Sequence, residues 1–160
     1  MIWGVDLGVR KAHFFGASST PILFSIDLAK LQSRDLELKG MSFDIKNFFS
    51  NLLPEENGDI FFIEEPVLAG TRNIRIMMQI AQVSGVVASS IISPAYFVPV
   101  SSWKKATVGK GNAKKEDIRH WLFTKFPLYS AACERTDSPQ DYADAACVAI
   151  YGSKMLGLHI

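Results

Sequence analysis

A short apolar run that ends in acids is the feature of this sequence that most constrains its fold. Residues 59–64 read Asp-Ile-Phe-Phe-Ile-Glu, and a second glutamate, Glu65, follows directly. Consecutive apolar residues bounded in this way are typical of a strand buried on both faces, which occupies the centre of a sheet. The run therefore predicts a central strand that carries a carboxylate at its end.

Other segments predict a mixed α/β domain around that strand. Three further strands, joined by tight turns in an antiparallel meander, are predicted at 2–6, 11–17 and 21–26. A fifth, at 95–100, is expected at an edge, because Pro99 cannot donate a hydrogen bond to a ladder. Helices are predicted at about 34–53, 73–93 and 114–126, and from Ser138-Pro139 to about Met155, with loops at 103–112 and from 127 to Asp137. This order of elements indicates an α/β domain with a five-stranded mixed sheet.

Composition narrows the class of protein. The chain has 160 residues, so we expect one domain over 1–160, and its 48% hydrophobic and 21% charged residues exclude disorder, collagen and coiled coil. The two cysteines, Cys133 and Cys147, have no spacing typical of a zinc site or a disulfide framework. No segment resembles a leader or a membrane span, so we expect a cytoplasmic protein.

Four acids stand where strands end or a helix begins. Asp6 ends the first strand and Glu64 ends the fourth, while Asp141 and Asp144 lie three residues apart in the last helix and share a side. Clustered carboxylates repel one another unless divalent cations neutralise them, and oxygen-only ligands suit Mg²⁺ or Mn²⁺. Two such ions can activate a water and stabilise the leaving oxygen in phosphodiester hydrolysis. The acids therefore predict a two-metal nuclease site in which Mn²⁺ can replace Mg²⁺.

Each acid taken alone also has a simpler interpretation. Asp141 fits a capping box with Ser138, and Asp144 fits a first-turn acid favoured by the helix dipole. Asp6 fits a turn residue before Gly8, and Glu65 fits a solvated loop end.

The net charge of +1 conceals a basic segment. Between residues 104 and 125 there are seven basic and two acidic side chains, which leaves a net charge of −4 on the rest of the chain. Lysines around a glycine-containing loop that opens a helix suit phosphate contacts, although a solvated helix face is the alternative. The predicted phosphate-binding residues are Lys104, Lys105, Lys110, Lys114 and Lys115.

Four motifs in order resemble the RuvC family of Holliday-junction resolvases, within the ribonuclease H-like and retroviral-integrase superfamily. They are Gly4-Val5-Asp6-Leu7-Gly8, Phe62-Ile63-Glu64-Glu65, the segment from Trp103 to Lys115, and Asp141-Tyr142-Ala143-Asp144-Ala145. The resemblance maps the catalytic acids onto Asp6, Glu64, Asp141 and Asp144, and two DNA-contacting lysines onto Lys104 and Lys115. Leu7 and Val9 are more similar to viral or organellar members, and Val67 stands where studied members have an aromatic wedge.

The resemblance implies a ribonuclease H-like fold with helices on both faces of the sheet, and a homodimer that nicks opposing strands of a four-way junction. The helix predicted at 73–93 is apolar nearly all the way round, so it is either sandwiched inside the domain or part of the dimer interface, with Gly85 allowing close approach. Rival functions are a nuclease of the same fold that cuts flaps, forks or RNA–DNA hybrids, a junction-binding protein without catalysis, and a sugar-kinase or actin-type ATPase. The ATPase fold needs two such lobes and a longer chain.

Overall fold

The structure is a computed structural model that describes residues 1–8, 10–27, 58–66, 74–91 and 93–158, with the backbone alone over 74–80. Its strands are β1 (Ile2–Leu7), β2 (Lys11–Ala17), β3 (Ile22–Asp27), β4 (Ile60–Glu64) and β5 (Ala95–Val98). Its helices are α1 (Ile74–Ser90), α2 (Val100–Val108), α3 (Lys115–Lys125), α4 (Pro127–Glu134) and α5 (Pro139–Met155). The helix predicted at 34–53, Val9 and Val67 lie outside the described residues.

The strands form one mixed sheet in the order β3-β2-β1-β4-β5. The meander prediction is confirmed, because β1 pairs antiparallel with β2 and β2 pairs antiparallel with β3. The prediction of a buried inner strand is also confirmed: β4 lies between β1 and β5, parallel to both, and Phe61 and Ile63 are fully buried. The strand before Pro99 is at the edge, as expected.

Side chains alternate between the two faces of the sheet, and helices cover both. Trp3, Val5 and Ile63 pack on one face against Val83 and Val87 of α1. On the other face, residues such as Phe15 and Phe62 pack against α5, with α2, α3 and α4 contributing to the same core. The predicted α/β class, a five-stranded mixed sheet with helices on both faces, is therefore confirmed.

Helix α5 lies unusually close to the sheet. A β-carbon on Gly4 would overlap the carbonyl oxygen of Ala145 and lie 2.5 Å from the backbone nitrogen of Ala149. A β-carbon on Gly152 would overlap the ring of Phe62. Glycine at these two positions therefore lets the helix backbone approach β1 and β4 directly, which fixes where the first turn of α5 lies over the sheet.

Two segments predicted as loops are helical. The residues from Val100 to Val108 form α2. The helix starts directly after Pro99 and ends at Gly109, which has the left-handed conformation with φ of 90°. The segment after 126 forms α4, which begins with Pro127 in its first turn, where proline's missing N–H has no cost. Both helices are short, 9 and 8 residues, and bury apolar side chains in the shared core. Helices of that length depend on tertiary packing, so the sequence pattern alone did not show them.

Helix α1 packs against the sheet on one side only. Val83, Val86 and Val87 are buried, whereas Ala81 and Gly85 are exposed. The side of α1 that faces away from the sheet is therefore not covered by the described residues, so the expectation that the helix is sandwiched inside the domain is wrong for its described C-terminal half, and the dimer interface remains a prediction. Within the described parts of the chain, every helix is too short or too polar to cross a lipid bilayer.

Candidate active site

The ends of β1 and β4 place two acids on the face of the sheet that α5 covers. Gly4 and Phe62 both face α5, so Asp6 and Glu64, each two residues further along its strand, face the same way. The parallel register pairs Val5 with Ile63, and the next residue on each strand is the acid. The two carboxylates are therefore neighbours at one edge of the sheet.

The first turns of α5 bring the other two acids to that edge. Ser138 precedes the helix but makes no capping hydrogen bond through its side chain, so the predicted capping box does not form. Asp141 and Asp144 follow on adjacent turns, and the side-chain amide of Gln140 donates a hydrogen bond of 2.9 Å to Asp144 Oδ1. The carboxylates of Glu64, Asp144 and Asp141 all raise the pKa of Asp6 through charge repulsion, so the structure places the four predicted acids near one another.

Burial is the main cause of the unusual titration of these acids. Desolvation, followed by repulsion from Glu64, raises the pKa of Asp6 well above its ordinary value. Desolvation and then the charge of Asp144 raise the pKa of Glu64 to about 7, and desolvation raises that of Asp144 to about 6. At neutral pH the cluster therefore resists full ionisation, and a cation that neutralises it would relieve the repulsion.

Cationic and hydrogen-bonding groups flank the acids on the α2 and α3 side. The indole N–H of Trp103, a fully buried residue of α2, donates a hydrogen bond of 3.0 Å to Glu64 Oε2. Lys104 lowers the pKa of Glu64 and Asp144, and Lys115 lowers that of Asp6 and Asp144, so both charges lie close to the carboxylates. Trp103 was part of a recognised motif, but the contact with Glu64 depends on α2, which the sequence pattern did not predict.

The predicted phosphate-binding lysines occupy two environments. Lys104 is partly buried, and its amine donates a hydrogen bond of 3.2 Å to the carbonyl of Ala113. The other four, Lys105, Lys110, Lys114 and Lys115, are exposed. Among these exposed lysines, Lys115, at the start of α3, is the one whose charge lowers the pKa of Asp6 and Asp144. The structure therefore separates a pair of lysines beside the acids from three that lie on the adjoining surface.

A buried histidine is the site residue that sequence reasoning missed. His13 on β2 pairs with Asp6 in the antiparallel register, so its side chain also faces α5. Its Nδ1 lies 4.0 Å from Asp6 Oδ2 and its Nε2 lies 3.8 Å from Asp141 Oδ2. Burial lowers its pKa, so the ring is neutral at pH 7 and has one N–H donor and one acceptor nitrogen. The predicted antiparallel pairing of β1 and β2 brings this segment near Asp6, but the register, which only the structure shows, decides that His13 lies opposite it.

The donor set fits divalent metal ions of the hard class. The four acids supply carboxylate oxygens, the ligands that Mg²⁺ and Mn²⁺ prefer. Burial and repulsion raise the pKa of Asp6, Glu64 and Asp144, so a cation that compensates the charge favours their ionised forms. Within the described residues, no three histidine, cysteine, aspartate or glutamate side chains lie closely enough to hold a metal ion as they stand.

The fold and the site define a class of protein. A five-stranded mixed sheet in this order, with acids at the ends of its two central strands and at the start of a covering helix, is the ribonuclease H-like fold. The family model described as crossover junction endodeoxyribonuclease RuvC matches residues 2–152. The chain belongs to the RuvC family, whose members are endonucleases of crossover DNA junctions.

Solved structures show the same fold. The structure of RuvC from Thermus thermophilus superposes with a TM-score of 0.64 at 17% identity, covering 97% of this chain and 96% of that chain. The same enzyme in complex with a Holliday junction substrate gives a TM-score of 0.64 at 17% identity, covering 96% of this chain and 94% of that chain. No curated protein sequence matches this chain.

Proposed function

We propose that this chain resolves four-way DNA junctions by nicking two opposed strands symmetrically. The observation that carries the proposal is the convergence of four carboxylates from β1, β4 and α5 beside a basic surface, in a chain of the RuvC family. The acids provide a place for cations and the basic surface a place for the DNA backbone. The whole of 1–160 acts in this proposal as one nuclease domain, with branched DNA as its substrate.

Asp6, Glu64, Asp141 and Asp144 are the proposed metal ligands, with two Mg²⁺ per site and Mn²⁺ as a substitute. Bound there, the ions supply an activated water and stabilise the leaving oxygen of the cleaved phosphodiester. The burial that raises the pKa of Glu64 to about 7 also excludes bulk water. Because water screens charges, its exclusion strengthens the attraction between the Glu64 carboxylate and a cation. The positive end of the α5 dipole stabilises the negative charge near its first turn.

Trp103 and Gln140 are the proposed positioning residues for two of these ligands. Each donates one hydrogen bond, the first to Glu64 and the second to Asp144, and leaves the other oxygen of that carboxylate available to a cation. Hydrogen bonds of this kind fix the orientation of a ligand before the metal binds.

The basic surface is proposed to hold the phosphate backbone. Lys104 and Lys115 are proposed to contact phosphates next to the cleaved bond, and the action of their charges on Asp144 supports this assignment. The remaining proposed contacts, Lys105, Lys110 and Lys114, are exposed on the surface beyond them. The amine of Lys104 is already held by the carbonyl of Ala113, so its position is fixed in the free protein. Because these contacts release counterions from DNA, binding should weaken steeply as salt increases.

Symmetric nicking needs two sites, so the proposal includes a homodimer formed mainly through the helix at 73–93. The exposed side of α1 carries small or polar residues, including Ala81, Gln82, Gly85 and Ser89. Among the residues that the structure describes, none has an atom within 4 Å of a β-carbon built on Gly85, which supports the close approach of a second backbone there. A cytoplasmic location, in a bacterial cell or a phage-infected host, is part of the same proposal.

The decisive experiment incubates a synthetic four-way junction with the protein and Mg²⁺. We expect paired nicks at symmetric positions, and we expect Asp6→Asn to bind the junction without cutting it. Flaps, replication forks and RNA–DNA hybrids of matched length serve as competing substrates. Absence of nicking with both Mg²⁺ and Mn²⁺ would contradict the enzyme proposal, and faster cutting of any competing substrate would contradict the junction preference.

A further inference from the structure

His13 is a buried imidazole whose nitrogens face two of the candidate metal ligands. The residue is 4% exposed, and among the described residues neither Nδ1 nor Nε2 has a hydrogen-bond partner. The nearest acceptors are Asp141 Oδ2 at 3.8 Å from Nε2 and Asp6 Oδ2 at 4.0 Å from Nδ1. With these two acids, His13 lines a cavity of about 480 Å³.

The ring of His13 is held in place by packing. Its neighbour on α5, Tyr142, meets it edge to face, with 5.0 Å between ring centroids and 75° between planes. The hydroxyl of Tyr142 is hydrogen-bonded to Ser25 on β3, so contacts from two elements fix the aromatic ring that supports the imidazole. This packing therefore restricts rotation of the imidazole.

A buried N–H without an acceptor costs free energy, and an imidazole in this position is explained if it gains a partner in another state of the site. A nitrogen–oxygen distance of 3.8 Å is less than 1 Å longer than an ordinary hydrogen bond. The Asp141 side chain is 40% exposed, so it has room to rotate towards Nε2. Asp6, at 18% exposed, has less freedom to move.

We propose that His13 is a positioning residue that donates its Nε2–H to Asp141 when that carboxylate turns to bind a cation. The inference rests on the proposed function to the extent that Asp141 is a metal ligand. In this role the imidazole selects the orientation of Asp141 that presents the other oxygen to the metal, as hydrogen-bond partners of ligating carboxylates do. Nδ1, the acceptor nitrogen, is left facing the cavity beside Asp6.

Three substitutions at His13 separate hydrogen bonding from packing. His13→Phe keeps a ring against Tyr142 but has no donor. His13→Gln places an amide nitrogen as many bonds from Cβ as Nε2, and His13→Asn places one at the position of Nδ1. Mn²⁺ affinity of the DNA-free protein, measured by isothermal titration calorimetry, is the primary readout. The Mn²⁺ concentration for half-maximal junction cleavage and the melting temperature in EDTA are measured alongside it.

We expect His13→Phe to bind Mn²⁺ roughly 10- to 100-fold more weakly than the unsubstituted protein, the usual effect of losing such a partner. We expect it to melt in EDTA at the same temperature or higher, because it removes an unpaired buried N–H. His13→Gln should restore affinity to within about threefold, and His13→Asn should not.

Equal Mn²⁺ affinity in the unsubstituted protein and His13→Phe would overturn the proposal, as would equal weakening in His13→Phe and His13→Gln. Rescue by His13→Asn alone would overturn the assignment to Asp141. The calorimetric comparison does not require DNA cleavage. A protein that binds Mn²⁺ through His13-dependent contacts but cuts no junction would refute the proposed function and leave the role of His13 intact.

Discussion

Glutamine in place of Glu64 should stabilise the metal-free protein at alkaline pH, although it removes a proposed ligand. Burial and the charge of Asp144 raise the pKa of this carboxyl from 4.5 to about 7. Between these two pH values the folded state holds a proton that the unfolded state has lost, so the stability of the folded state falls as pH rises through that interval. Above pH 7 both states are ionised and the loss is constant.

The size of the effect follows from the shift. A pKa of about 7 in the folded state against 4.5 in the unfolded state lowers the unfolding free energy by about 3 kcal/mol at pH 8 and by less than about 1 kcal/mol at pH 5. Glutamine has a similar shape, can still accept the hydrogen bond from Trp103, and has no charge to desolvate. The difference in unfolding free energy between Glu64→Gln and the unsubstituted protein should therefore grow by about 2 to 3 kcal/mol from pH 5 to pH 8.

The assay is thermal denaturation in EDTA, followed by circular dichroism, at pH 5, 6, 7 and 8. For a chain of this size, a gain of 2 to 3 kcal/mol corresponds to a relative rise in melting temperature of roughly 4 to 12 °C. Glu65→Gln is the matched control, because Glu65 is the next residue and is exposed. Its melting temperature should follow that of the unsubstituted protein at every pH.

Divalent metal should reduce or reverse this difference in melting temperature. With saturating Mn²⁺ at pH 8, the unsubstituted protein gains binding free energy that Glu64→Gln lacks in part, so the two melting temperatures should converge or cross. If Glu64→Gln melts at or below the unsubstituted protein in EDTA at pH 8, with no trend between pH 5 and pH 8, the argument from burial and repulsion is wrong.

Three other substitutions test the approach of α5 to the sheet, the exposed side of α1, and the hydrogen bond to Glu64. Gly4→Ala places a methyl group against the carbonyl of Ala145 and should cost about 1 to 3 kcal/mol or more of unfolding free energy, measured by urea denaturation. Gly85→Ala on α1 places a methyl group that meets no described residue within 4 Å, so it should add about 0.5 to 1 kcal/mol to stability while weakening self-association measured by light scattering. Trp103→Phe removes the N–H that orients Glu64 and should slow junction cleavage about 10-fold with junction affinity unchanged in a gel-shift assay.

Local sequence patterns were sufficient for the elements that have strong signals of their own. The apolar run before Glu64, the meander of three strands and the proline that opens α5 are short-range features, and all were predicted and confirmed. The helices α2 and α4 have weaker signals. Their 9 and 8 residues are stabilised by side chains buried against α5, and packing of that kind has no periodic signature in a short window.

Sequence alone determined which residue types this protein brings to its candidate site and which strands and helix carry them. The positions of Asp6, Glu64, Asp141 and Asp144 follow from where apolar runs end and where a proline-led helix starts, and these are properties of neighbouring residues. The family resemblance rests on short motifs around the same residues. Neither the motifs nor the apolar runs show how far apart the carboxylates lie or how exposed they are to water.

Tertiary structure decided the environment of those acids. The pKa of Glu64 rises to about 7 because α5 and α2 close over the sheet edge, and that burial depends on glycine at position 4 letting the helix approach. The pairing of His13 with Asp6 depends on the register of β1 and β2, and the contact of Trp103 with Glu64 depends on α2. Desolvation and hydrogen-bond geometry result from contacts between residues distant in the chain, so only the folded structure determines them.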